Sequence, residues 1–188
     1  HQRRLEISWV VVSGPPQRRV EAQRAMTMLV RRAVRGTLTC GDFQDGFFPA
    51  GYGAIKAFFE SLKRLPAPDL IFCHERNDRH QDHRIVNEMV WSTFRDHMVL
   101  EYEVPKWDGG LGDPNVYVPV SAAQMRAKLR TLMTAYRSQR HRDWFSPETF
   151  MALARLRGIE CRSRSGYAEA FHARKLRFTG LVAGSTRR

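Results

Sequence analysis

The string NDRHQDHR, residues 77–84, sets His80, Asp82 and His83 within a few residues of each other, with Arg79 and Arg84 on either side. These residue types can carry out hydrolytic chemistry. Imidazole binds zinc through one nitrogen while a carboxylate on the other fixes its tautomer. A free imidazole titrates near neutrality and can move a proton. His80 and His83 are three apart, so a turn-like backbone lets both face one cavity. One would then act as ligand and the other as acid or electrostatic stabiliser. The plainer alternative is polarity alone. Asp82 also suits the N-cap of a following helix, and a basic chain produces such strings on its surface.

The flanking sequence indicates what positions this string. Asp69–Cys73 (DLIFC) has the apolar run of a short buried strand. A helix is expected from about His83 to Asp96, with Val86, Met89, Val90 and Phe94 on one side. Further strands are expected at Leu5–Val12, Thr37–Cys40, Met98–Val104, Asn115–Val120 and Gly166–Phe178. Further helices are expected at Arg18–Val34, Ala54–Arg64, Ala122–Tyr136 and, after the start signal Ser146-Pro147-Glu148, Pro147–Leu156. On the first of these, Val20, Met28 and Leu29 with Ala22 and Ala25 form the buried face, Arg18, Arg24, Arg31 and Arg32 stay wet, and Gly36 ends the helix. Strands alternating with helices at this spacing make an α/β domain with a mostly parallel sheet. Ligands of such sheets sit beyond the carboxyl ends of the strands, which is where the string lies.

The 188 residues are 43% apolar, with 11 Phe and 4 Trp, a globular composition sized for a single domain over residues 1–188. No apolar run approaches the roughly 18 residues that cross a membrane, and no cleavable leader pattern is expected at the start. Cys40, Cys73 and Cys161 are odd in number and form no CxxC pair. Free thiols in a reducing cytoplasm are the expectation. The net charge of +12 comes mainly from arginine. It means either solvated arginine faces or an anionic partner, such as nucleic acid, an acidic membrane or a phosphorylated substrate. Nucleic acid is not expected: there is no zinc-finger spacing and no RNP-like aromatic motif, and the arginines lie on several helices.

HQDHR, after a strand and before a helix, resembles the second motif of the LmbE-like (PIG-L) zinc-dependent N-deacetylases. Other stretches agree in order. VVVSGPPQRRVEAQRAMTML is similar to that family's second strand and its helix with an R-x-x-E…A pattern, here Arg18, Glu21 and Ala25. FQDGFFP, PDLIFCHERNDRHQDHR and a closing YAEAFHARKLRF follow. The resemblance implies a Rossmann-like three-layer α/β domain. It implies hydrolysis of an N-acetyl group from an amino sugar or glycoconjugate, with a phosphorylated one suiting the arginines, and zinc or another divalent metal as cofactor. His83 would be the metal ligand. His80 would stabilise the oxyanion or protonate the leaving amine, and Asp82 would tune His80. Arg76, Asp78 and Arg79 would sit at the rim and touch substrate. Glu169, in the AEAF element, would order the site or serve as an ion-pair partner.

One departure is large. The family's first motif, H-P-D-D after the first strand, supplies two zinc ligands and the catalytic base, and it does not occur here. The nearest string, His141-Arg142-Asp143-Trp144, lies well after the second motif. The first strand and its motif are therefore expected upstream of residue 1, because Leu5–Val12 needs a parallel neighbour on its other edge. A catalytic zinc normally takes three protein ligands, so this chain alone is expected to be inactive. The alternatives are an inactive homologue, or a nucleic-acid- or anion-binding protein.

Overall fold

Alternating apolar residues and helical periods sort the chain into six strands and five longer helices. In the computed structural model, which describes residues 5–30 and 34–176, these are β1 (Leu5–Val11), α1 (Pro16–Leu29), β2 (Val34–Cys40), α2 (Tyr52–Ser61), β3 (Leu70–His74) and α3 (Gln81–Thr93). They continue as β4 (Met98–Tyr102), β5 (Val116–Pro119), α4 (Ala122–Ala135), α5 (Pro147–Glu160) and β6 (Ala168–His172). The α/β class expected from the sequence is the one observed.

The strands form two sheets. β1 runs parallel to β2, from Leu5 opposite Val34 to Val11 opposite Cys40. β3 runs parallel to β4, and β6 and β5 continue that sheet antiparallel, in the order β3-β4-β6-β5. The expectation of a mostly parallel sheet thus holds for the first four strands only. The long excursion through α4 and α5 returns the chain beside β4 in the opposite direction.

β1 and β3 each have one partner and one unpaired edge among the described residues. Both nonetheless feed the same core. Val10 and Val12 after β1, and Ile71 and Cys73 of β3, pack with Ile55 and Phe59 of α2, and with Ile85, Met89 and Val90 of α3. Leu5 and Ile7 on β1, and Leu70 and Phe72 on β3, remain exposed.

The buried face of α1 differs from the expectation. Glu21, Ala22, Ala25 and Met26 are buried, whereas Val20, Met28 and Leu29 are exposed. Small residues face inward because β2 passes close beneath the helix. A side-chain carbon at Gly36 would lie 2.7 Å from Val30 Cγ2 and 3.1 Å from Met26 Sδ. Gly36 therefore lies within β2 as a close-approach residue and does not terminate α1, which ends at Leu29. Arg31 and Arg32 lie outside the described residues, as does the end of the expected Gly166–Phe178 strand. Of the other helices, α4 and α5 begin at capping serines. Ser121 and Gln124 form a reciprocal capping box on α4, and Ser146 accepts from Thr149 N at the start of α5.

Candidate active site

β3 ends on His74, and α3 holds that end in place. The Asn87 Nδ2 donates to the His74 carbonyl at 2.7 Å. Glu75 N donates to Tyr102 O, so β3 stays tied to β4 as the chain leaves the sheet. The string then turns so that three imidazoles stack. The His74 and His83 ring centres are 3.8 Å apart, and those of His83 and His80 are 4.7 Å apart. Tyr102 closes the other side, its ring centre 4.9 Å from that of His74.

Asp78 is buried at the hub of this arrangement. Its Oδ2 accepts from His83 Nδ1 at 2.7 Å, and its Oδ1 accepts from His80 N at 2.8 Å. The Lys106 ammonium lies 3.3 Å from Oδ1 and 3.1 Å from His83 Nδ1. Burial works against the charge on Asp78. The His83 hydrogen bond, the His80 amide and Lys106 outweigh it and hold the carboxyl well below the usual carboxylate range. An ionised carboxylate only accepts, so His83 carries a proton on Nδ1, and in the neutral ring the lone pair is then on Nε2.

Burial keeps the Tyr102 phenol protonated, its pKa raised above the ordinary tyrosine value. The Tyr102 hydroxyl lies within hydrogen-bond distance of His74 Nε2, at 3.3 Å. Desolvation, reinforced by His83, pushes the His74 imidazole down to about 3, so it stays neutral. The Nδ1 atoms of His74 and His80 are buried and have no hydrogen-bond partner among the described residues.

The structure places the other expected site residues differently. Asp82 is buried, and both its oxygens serve a loop: Oδ2 accepts from Gly46 N at 2.6 Å and Oδ1 from Phe48 N at 3.2 Å. It is not the N-cap of α3, a position His80 occupies. Its role is to anchor the FQDGFFP stretch, and its carboxylate is taken up there and does not engage His80. Asp78, expected at the rim, is buried at the centre. Arg76 is exposed, with its backbone N–H bound to Glu101. Arg79 is also exposed, packed against Gly110, whose φ of +89° and 3.1 Å approach to Arg79 Cγ suit only glycine. Glu169 pairs with Lys128 at 2.5 Å on the wall of a cavity of about 230 Å³ between β4, β6, α4 and α5, which Tyr102 also lines. The string therefore brings together Asp78, His80 and His83, while Asp82, Arg76 and Glu169 lie outside the cluster.

Three members of the cluster were not singled out from the sequence: His74, Tyr102 and Lys106. The one available signal was that His74 directly follows DLIFC, at the carboxyl end of a strand. Nothing local marks Lys106.

The metal expectation can be tested against the donors present. Stacked rings hold their nitrogens side by side and do not converge them on one point. Among the described residues no group of three His, Cys, Asp or Glu side chains could hold an ion. His83 Nε2 is a single position, and Lys106 lies against the other nitrogen of the same ring, 3.1 Å from Nδ1. This set does not fit a catalytic zinc by itself.

The chain is an α/β protein whose fold is shared with solved structures that include two deacetylases. The conserved protein TT1542 from Thermus thermophilus superposes with a TM-score of 0.67 and 21% identity, over 95% of this chain and 86% of that one. The A40926 pseudoaglycone deacetylase Dbv21 superposes with a TM-score of 0.63 and 16% identity, over 90% of this chain and 84% of that one. The zinc-inhibited form of teicoplanin deacetylase Orf2 gives 0.66 and 15%, over 89% and 86%. At these identities the likeness is one of fold. No family model and no curated protein sequence matches the chain. All three cysteines are free, and among the described residues no helix is long and apolar enough to cross a membrane.

Proposed function

We propose that the chain is the histidine-bearing part of an amide hydrolase that removes an acetyl group from an N-acetylated amino sugar or glycoconjugate. The observation that best supports this reading is the Asp78–His83 pair beside His80 at the carboxyl end of β3, in a fold shared with deacetylases. His80 has a ring nitrogen with no partner among the described residues. Protonated, it would steady the oxyanion of a tetrahedral intermediate or hand a proton to the departing amine. Asp78 fixes the tautomer of His83, and Lys106 holds Asp78 ionised. His83 Nε2 then supplies one lone pair, for a proton or for one bond to a metal.

The other part of the site must come from outside this set of side chains.

The test is release of free amine from N-acetylglucosamine and larger N-acetylated glycosides, with zinc counted per chain in the same preparation. Residues 1–188 alone should hold well under one zinc per chain and stay at background. A preparation that supplies the remaining ligands should hydrolyse, and should lose about 100-fold or more with His80→Ala or His83→Ala. An active preparation indifferent to both substitutions would sink the reading. So would a folded, zinc-loaded preparation that releases no amine from any of these substrates.

A further inference from the structure

Lys106 begins a loop that is pinned over the histidine cluster. Its ammonium sits among Asp78, His83 and Asp108. Gly110 packs against Arg79 of the string. Gly112 N donates to Glu103 Oε1 at 2.9 Å, and Gly112 O accepts from Arg157 Nη2 at 2.9 Å. Glu103 and Arg157 are themselves a buried ion pair. The loop is thus fastened at Lys106 and Gly112 and passes close to Arg79 at Gly110.

This loop presents Trp107 to solvent. At 65% exposure, Trp107 is the most exposed large apolar side chain among the described residues. The ring is nonetheless held in orientation. It meets Trp144 edge to face at 6.3 Å, and the Arg142 guanidinium lies 5.4 Å from its centre. Trp144 in turn packs edge to face on buried Phe145, which packs on Phe150 of α5. An indole oriented by a column of aromatic rings, and left uncovered by the folded chain, gives up apolar burial with no return inside the molecule. An exposed indole whose orientation is fixed by its neighbours can offer a flat apolar contact surface with a polar edge.

We propose that Trp107 is the stacking platform for a pyranose ring of the substrate, held next to the residue whose ammonium touches the catalytic pair. This inference rests on the hydrolase reading above and assigns its sugar-positioning residue. A pyranose has a flat face of C–H groups edged by hydroxyls. The indole offers the matching flat apolar surface. Asp108 and Arg142 beside it offer an acceptor and a donor for the edge hydroxyls. Trp144 adds an indole N–H that has no acceptor among the described residues.

The experiment is titration of the chain with N-acetylglucosamine at millimolar concentrations. It is read by indole N–H chemical shifts, with the Trp107 resonance assigned from Trp107→Phe. The expected result is a saturable shift of the Trp107 resonance. Affinity should weaken about tenfold or more in Trp107→Ala, the usual consequence of truncating a central aromatic anchor, and less in Trp107→Phe. Trp91→Phe, whose ring is occupied by Arg174, should bind like the parent. Unchanged affinity in Trp107→Ala overturns the proposal, and so does a saturable response carried by other tryptophans, or no saturable response at all. Because binding is read without turnover, the two readings separate. A Trp107-dependent sugar shift in a preparation that never hydrolyses refutes the hydrolase alone. Hydrolysis with KM unmoved by Trp107→Ala refutes the platform alone.

Discussion

His83 Nδ1 lies 2.7 Å from Asp78 Oδ2, and this one hydrogen bond determines which nitrogen of His83 is free. Because the carboxylate stays ionised, the free nitrogen is Nε2. Asp78→Asn keeps the shape but presents an amide that can donate as well as accept, so the tautomer is no longer fixed. The imidazole nitrogen shifts of His83 should change from a single tautomer to a mixture. Hydrolysis by an active preparation should fall by about 10–100-fold, as for other carboxylates that orient a functional histidine. A His83 that keeps one tautomer in Asp78→Asn would contradict this.

Asp82 should prove to be a structural residue. Its carboxylate holds the Gly46 and Phe48 amides from inside the protein. Asp82→Ala leaves two backbone donors without their acceptor, at a cost of about 2–4 kcal/mol. Urea denaturation measures the cost, and amide exchange localises it. Gly46 and Phe48 should lose protection while the β3–β4 amides keep theirs. Undiminished protection at both amides would return Asp82 to the catalytic role expected from the sequence.

Glu21 gives a dependence on pH away from the site. It is buried, and it accepts from both Ser138 N and Ser138 Oγ at 2.7 Å. Burial opposes its charge, but these bonds and the nearby Arg18 prevail and depress its pKa. The unfolded chain therefore takes up the proton first as pH falls. The stabilisation is complete above the ordinary glutamate value near 4.3 and fades as pH drops through the lower folded value. Glu21→Gln should be less stable than the parent by about 1–3 kcal/mol at pH 7, with the difference shrinking towards pH 3. A gap that is the same at both pH values would mean that Glu21 does not titrate differently on folding.

The unpaired edges of β1 and β3 should make residues 1–188 prone to association. Ile7 and Leu70 are exposed there, on strands whose backbone groups have no partner on one side. A lysine on an edge strand blocks pairing with another chain. Ile7→Lys and Leu70→Lys should each lower the fraction of oligomer in sedimentation velocity, and together remove most of it. A parent chain that stays monomeric at high concentration would refute this.

Elements defined by short-range patterns were legible. The alternating or continuous apolar runs around Leu5, Asp69 and Met98 became β1, β3 and β4, and the Ser146-Pro147 signal became the start of α5. The face of α1 was not legible, because it is determined by how closely β2 approaches, and only the packed structure shows Gly36 beneath Met26. Of the string, the position after a strand was readable and the geometry was not. His80 and His83 do fall together, as their spacing suggested. Asp78, expected at the rim, is buried against His83, and Asp82, expected beside His80, is buried against the Gly46 and Phe48 amides, because a short-range pattern does not show which way a carboxylate faces.

What the sequence determined by itself is local: the order of strands and helices, the histidine string beyond a strand, and the absence of an H-P-D-D motif. These follow from periods of two and 3.6 residues and from side-chain type, which need no partner to be read. What only the tertiary structure decided is which distant groups meet. Lys106 reaches His83 across 23 residues, and Ser138 reaches Glu21 across 117. The first meeting requires β4 to lie parallel to β3, and the second requires α1 to pack beside α4. Neither is encoded near either residue, because each depends on the burial of a whole apolar face.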